Sequence, residues 1–383
     1  MIYFDSAATT LEKPPSVAAA TAQAMTRLAS PGRGGHRAGL AAAELVYKTR
    51  ERAAKLFHVN DLENVVLTGN ATHGLNIAIR SLVKEGGTVV TSGYEHNAVT
   101  RPLHAIPGVT VKVAAGPLFD ADGVYAAFER EITPEVDAVI CNHVSNVFGF
   151  IQPVERIAWL CRERGVPLIV DASQSAGILP VDMEGWGAAF VAMPGHKGLY
   201  GPQGTGLLLC SGETTPLLFG GTGSLSARQE MPDFLPDRLE AGTQNVCGAA
   251  GLLAGMNFVS QKGIGRIHAH ECGLARRMMD LLERIPGVTV FRGRRSQSGL
   301  FSLTVDSLDC EIVAEELARR DVAVRAGLHC APLAHQSAGT SETGTVRFSF
   351  SAFNHGSQVD RTAAVLKQIV KDGKKTVSAS DKM

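Results

Sequence analysis

Residues 165–174 read Gly165-Val166-Pro167-Leu168-Ile169-Val170-Asp171-Ala172-Ser173-Gln174, an apolar run that stops on a carboxylate. An unbroken apolar run suits a strand buried on both faces, as in a sheet covered by helices. Similar short runs stand at Val65–Leu67, Thr88–Ser92, Thr110–Val113, Ala138–Asn142, Phe190–Met193 and Thr205–Cys210. Helical patterns lie between them, for example Thr72–Leu82 and Val154–Arg164. The alternation predicts an α/β architecture with a mixed, mostly parallel sheet over roughly residues 60–210.

Beyond that block the pattern changes. Residues 248–285 read as largely helical, broken near Lys262-Gly263-Ile264-Gly265. Strands follow at Val288–Phe291, Leu300–Val305, Val322–Arg325 and Thr345–Ser351, with a helix at Cys310–Arg320 and a last one to about Lys371. The expected organisation is a large domain over 16–250 and a smaller α+β domain over 251–371 joined by residues 1–15, with a frayed polar tail at 372–383.

Composition narrows the class. The chain has 383 residues and is 45% hydrophobic, enough for a sizeable core. Its 37 basic and 37 acidic residues cancel, which argues against a general nucleic-acid or membrane-surface binder. No run of 18 apolar residues suggests a transmembrane helix, and Met1–Asp5 lacks a signal-peptide pattern. The seven cysteines (141, 161, 210, 247, 272, 310, 330) are scattered without a CxxC pair. That points to free thiols in a reducing cytoplasm and to no metal site.

Five segments carry candidate chemistry. Lys197 lies in Pro194-Gly195-His196-Lys197-Gly198-Leu199-Tyr200-Gly201, a glycine-dense turn after an apolar strand. A desolvated lysine there can act as an amine nucleophile, although an ordinary turn lysine reads the same. Asp171 closes its strand where α/β sheets bind ligands, and it reads equally as a helix cap. Thr68-Gly69-Asn70-Ala71-Thr72-His73 joins a strand to a helix and can cradle a phosphate or simply cap the helix. Cys330, in Arg325-Ala326-Gly327-Leu328-His329-Cys330-Ala331-Pro332, is placed in a loop whose Arg and His neighbours favour a thiolate. Arg347, in Val346-Arg347-Phe348-Ser349-Phe350, alternates away from the phenylalanines and can clamp a carboxylate or form a surface ion pair.

In this order, with Tyr3-Phe4-Asp5-Ser6-Ala7-Ala8-Thr9-Thr10 at the start, the segments resemble the class-V pyridoxal-phosphate (PLP) enzymes, and among them the cysteine desulfurases. The resemblance spans nearly the whole chain, and the short loop at Cys330 is similar to the second group of that family. It implies a type I PLP-transferase fold. It implies that Lys197 holds PLP as a Schiff base, Asp171 pairs with the ring nitrogen and Gln174 and Asn146 lie near the phenolic oxygen. His96 would stack on the ring. The Ala71 backbone, Thr72 and His196 would hold the phosphate, with Thr243 reaching it from the second subunit of a homodimer. Arg347 and Asn146 would bind L-cysteine, or selenocysteine, and Cys330 would take its sulfur as a persulfide for an acceptor protein. The alternative is a class-V aminotransferase or another PLP β-lyase that makes no use of Cys330.

Overall fold

The described residues of the computed structural model are 1–32, 34–306 and 308–380, with backbone alone for 374–380. A short strand β1 (Ile2–Tyr3) and helices α1 (Pro15–Arg27) and α2 (Arg37–Phe57) precede the α/β block. The block runs β2 (Val65–Thr68), α3 (Ala71–Leu82), β3 (Thr88–Ser92), α4 (Asn97–His104), β4 (Thr110–Ala114) and α5 (Ala121–Glu131). It continues with β5 (Ala138–Asn142), α6 (Val154–Arg164), β6 (Leu168–Asp171), α7 (Met183–Trp186), β7 (Phe190–Pro194) and β8 (Gly206–Cys210).

These seven strands form one sheet in the order β2-β8-β7-β6-β5-β3-β4. Only β8 is antiparallel to its neighbours, so β2 points the same way as the parallel strands. Every residue of β5, β6, β7 and β8 is buried, which is why these strands are apolar without alternation. One consequence sets the site. The segments leaving β2, β3, β5, β6 and β7 all emerge at the same edge, and they carry Thr72, His96, Asn146, Asp171 and Lys197. The carboxyl edge of such a sheet is where ligands bind.

Helix α8 (Val246–Lys262) packs against α1 and α2, and the expected boundary at residue 250 falls inside it. The rest follows as α9 (Ile264–Leu282), β9 (Val288–Phe291), β10 (Leu300–Val305), α10 (Cys310–Ala318), β11 (Val322–Ala323), β12 (Arg325–Gly327), α11 (Pro332–Ala338), β13 (Thr345–Ser349) and α12 (Gly356–Ser380). Strands β12-β13-β10-β9 make an antiparallel sheet. Its core joins Phe301, Leu303, Val346 and Phe348 to helix residues such as Met278 and Leu366, and to Ile2 and Phe4.

Three details differ from the sequence expectation. The strand expected at Val322–Arg325 is two strands: β11 pairs with β1 in parallel and β12 pairs with β13. Their partners are far away in the chain, so the switch leaves no local mark. The last helix continues to Ser380, because no proline interrupts residues 372–380; residues 381–383 of the expected tail lie outside the described residues. Helices α1 and α2 were not expected from the sequence; α2 buries Ala42, Val46, Ala53 and Phe57 along one face. No helix among the described residues is long and apolar enough to cross a membrane.

Candidate active site

Lys197 follows β7 in a turn pinned from outside. The His196 carbonyl accepts from Thr10 N (3.1 Å), Thr10 Oγ1 (3.0 Å), Thr9 Oγ1 (3.3 Å) and Lys13 Nζ (3.4 Å). Behind it, Gly198 and Gly177 meet backbone to backbone. A Cβ on either would run into the other loop, Gly198 against the Ala176 carbonyl and Gly177 against the Gly198 carbonyl. The sequence therefore needs glycine there. The Lys197 side chain lines a cavity yet is enclosed by protein. This desolvation lowers its ammonium from the usual lysine value to about 8, with Arg347 and Arg325 assisting against Asp171.

That cavity of about 100 Å³ is lined by Asn70, Ala71, Thr72, His96, Asn142, Asn146, Asp171, Gln174, Pro194, His196 and Lys197, among others. Eight of the sequence candidates, Ala71, Thr72, His96, Asn146, Asp171, Gln174, His196 and Lys197, thus share one space. Asp171 is 4% exposed, and its Oδ1 accepts from Ser173 N at 2.8 Å. His96 caps α4, its Nδ1 accepting from Ala98 N at 3.0 Å, which leaves the ring proton on Nε2. Burial, with Lys197, Arg347 and Arg101 nearby, lowers His96 to about 4 despite Asp171, so the ring is neutral. Burial likewise lowers His196 to about 4. Buried Asn146 Oδ1 and His196 Nδ1 have no protein partner among the described residues.

At the start of α3, the Asn70 side chain caps His73 N at 2.9 Å. Ala71 and Thr72 open the helix, so their N–H groups face the cavity end as orphan donors. Gln174 Nε2 donates to the Ala7 carbonyl at 3.0 Å, a contact the sequence did not predict.

Arg347 lies on β13 of the four-stranded sheet, and Cys330 in the loop between β12 of that sheet and α11. Arg347, 2% exposed, donates through Nη1 to the Asn146 carbonyl and through Nη2 to Asp5 Oδ1, both at 2.8 Å; its Nε has no partner among the described residues. Cys330 is the exposed cysteine among seven free thiols. Its carbonyl accepts from Asn97 N at 2.7 Å, and the preceding His329 carbonyl accepts from Asn146 Nδ2 at 2.8 Å. The loop is thereby sewn to both walls of the Lys197 cavity. His329 and Cys330 both hold left-handed backbone angles, φ 49° and 55°, a strained conformation for non-glycine residues.

One sequence expectation needs correction. His329 was read as a cation beside the thiol. It is buried, its Nε2 lies 3.2 Å from the Thr345 carbonyl and hydroxyl, and desolvation lowers it to about 2. It is neutral and supplies no charge to Cys330. Thr243 is exposed and borders a separate cavity with Thr68, Gly69 and His73, outside the Lys197 space of its own chain. Sequence reasoning assigned no role to Asp5, Lys13 or Glu95. Asp5 stood in the quoted opening segment, but its link to Arg347 is 342 residues long and invisible locally. Among the described residues no group of three or more His, Cys, Asp or Glu side chains is placed to hold a metal ion.

The family model for the class-V aminotransferases matches residues 2–362. A protein of Methanothermobacter thermautotrophicus named probable cysteine desulfurase is 32% identical over 96% of this chain and 94% of its own length. A protein of the same name from Pyrococcus abyssi is 31% identical over 97% and 94%. The apo cysteine desulfurase of Thermococcus onnurineus superposes with a TM-score of 0.90 at 31% identity, covering 97% of this chain and 95% of that one. A cysteine desulfurase of Escherichia coli, in an S-sulfonic acid form, gives 0.84 at 27% identity over 96% and 94%. With its sheet edge, its enclosed lysine and these likenesses in agreement, the chain belongs to the class-V aminotransferase family, on the branch where the cysteine desulfurases lie.

Proposed function

We propose that the chain is a cysteine desulfurase that carries PLP on Lys197 and passes the sulfur of L-cysteine to Cys330. The observation that carries this reading is the placement of Cys330: an exposed thiol whose loop is hydrogen-bonded to Asn97, next to His96, and to Asn146. An incidental surface cysteine has no reason to be tied to both walls of the lysine cavity.

The residues present fit the cofactor. Orphan helix N–H groups, the Thr72 hydroxyl and His196 suit a phosphate; Asp171 suits a protonated ring nitrogen; Lys197 suits an aldehyde carbon. Bound there, PLP supplies an electron sink for the pair left when a substrate Cα–H bond breaks. The chain does the rest. Lys197, lowered to about 8, has a sizeable share of free amine near neutral pH, so its Nζ can take the Cα proton and return it. Arg347, with its free Nε, holds the substrate carboxylate beside Asn146. The Cys330 thiolate attacks the substrate sulfur. An S–S bond forms as the Cβ–S bond breaks, Cβ gains a proton, and alanine leaves with a persulfide on Cys330. The proton Cβ gains is the one the Cys330 thiol gives up as it ionises; the neutral His96, with its proton on Nε2, donates a hydrogen bond and not a proton. An acceptor protein then removes the persulfide sulfur, and selenocysteine is a second substrate by the same chemistry. Thr243, facing away from its own cavity, is read as reaching the phosphate of a second copy.

The test is to incubate the holoenzyme with L-cysteine, quantify alanine and sulfide, and trap persulfide by mass spectrometry, with Cys330→Ala alongside. Alanine formation that falls by about two orders of magnitude or more in the mutant, with its PLP absorbance intact, is expected. Equal alanine formation by both proteins would move the chain to a reaction that ignores Cys330.

A further inference from the structure

One buried acid beside the cavity has no part in the proposed chemistry. Glu95 is 0% exposed and immediately precedes His96. Its Oε1 accepts from Ser92 Oγ at 2.5 Å and from Asn142 N at 2.8 Å. Asn142 closes β5 and is the register partner of Asp171 at the end of β6. Asn142 Nδ2 donates to the carbonyl of Tyr94, the residue before Glu95, at 2.7 Å. Gln152 Nε2 completes the cluster, donating to Ser92 Oγ at 2.9 Å and to Asn142 Oδ1. All four side chains are buried; Ser92 and Asn142 close β3 and β5, Gln152 precedes α6, and Asn142 lines the cavity.

We propose that Glu95 is a positioning residue that ties the turn carrying His96 to the strand end carrying Asp171, and so fixes the spacing of those two cofactor-facing side chains. The inference rests on the cavity being the PLP site. A side-chain carbonyl oxygen at this reach is needed because one oxygen must accept from both Ser92 and Asn142; an apolar residue would leave a buried N–H and a hydroxyl unpaired. The acceptor must also be uncharged, so the native carboxyl has to keep its proton. The titratable groups facing it are Asp171 from β6 and Cys141 from β5, and a second anion there would oppose the charge of Asp171 that the ring nitrogen requires. Burial supplies this condition, raising Glu95 to about 8, and its Oε2 has no acceptor or donor partner among the described residues.

The experiment compares wild type, Glu95→Gln, Glu95→Asp and Glu95→Ala. Three quantities are read: PLP dissociation constant by absorbance titration of the apoprotein, melting temperature, and the infrared stretch of protonated carboxyl groups in the apoprotein at pH 7. Glu95→Gln keeps the acceptor without a charge, so its PLP affinity should stay within about threefold of wild type. Glu95→Ala should lose about tenfold or more, and Glu95→Asp, one methylene short of Asn142 N–H, should fall between. Should Glu95→Ala not fold, Glu95→Asp takes its place as the weakened form. The infrared spectrum should lose one protonated-carboxyl component in Glu95→Gln. Wild-type affinity in both weakened variants would overturn the positioning role, as would a Glu95→Gln loss equal to theirs or an unchanged infrared spectrum. Failure of wild type to take up PLP would overturn the reading of the cavity instead, and is told apart because the infrared component is read without cofactor.

Discussion

Lys197 shows how one side chain converts burial into chemistry. An unfolded lysine keeps its proton to about 10.5, and the folded one releases it near 8. Between those values the unfolded state binds the extra proton, so stability rises as pH climbs through this window, and below 8 the buried charge is a constant cost. The apoprotein of Lys197→Met should therefore be more stable than wild type at pH 7, by about 1 kcal/mol or more, with the gap shrinking toward pH 10. Urea titrations at the two pH values check it. The same mutant should lose all desulfurase turnover. The strand ends and turns that carry Lys197, Asp171 and Cys330 were legible in the sequence, because apolar runs, glycine and proline mark the backbone there. The sequence could not place Glu95 or Asp5. Their roles come from partners on other strands, and a glutamate beside a histidine has no local pattern that separates a buried acid from a solvated one.

At the scale of elements, the start of α3 and the Cys330 loop are the sensitive parts. Removing the Asn70 cap with Asn70→Ala should cost about 1 kcal/mol and weaken phosphate retention, seen as a lower PLP affinity with Lys197 chemistry unchanged. The Cys330 loop rests on two buried rings, His329 and His335, whose centroids lie 5.9 Å apart; burial lowers both below the usual histidine value. Unfolded histidines protonate below about 6.5, whereas these cannot without breaking their packing. Stability of the loop therefore falls as pH drops from about 6.5 toward the folded value of about 2. Amide protection factors over residues 328–338, corrected for the intrinsic rate at each pH, should fall at pH 5 before those of the central sheet, and His335→Gln should flatten the trend. The strands of the central sheet were legible because their runs are apolar on both faces. The division of β11 from β12 was not, since each answers to a different distant partner.

For the whole molecule, the opening segment ties the surroundings of the four-stranded sheet to those of the seven-stranded sheet. Phe4 packs on Phe350 and Phe348, with centroids 4.9 and 6.3 Å apart, while Asp5 pairs with Arg347 and the Ala7 carbonyl with Gln174. Phe4→Ala should cost about 3–5 kcal/mol and reduce activity beyond what the lost stability explains, because Asp5 and Ala7 move with it. Urea unfolding together with a KM-against-kcat comparison on the folded fraction checks this. The segment also has a temporal meaning. Ile2 pairs with Val322, and the Phe4 carbonyl receives its N–H from Ser349. The part of the chain that leaves the ribosome early must wait, its Phe4 side chain unburied, until more than three hundred later residues have been made. Contacts of such long sequence separation form slowly and late. Closure of the four-stranded sheet around Phe4 thus waits on the later segments, and the thiol, arginine and lysine meet only when stretches more than three hundred residues apart have found each other.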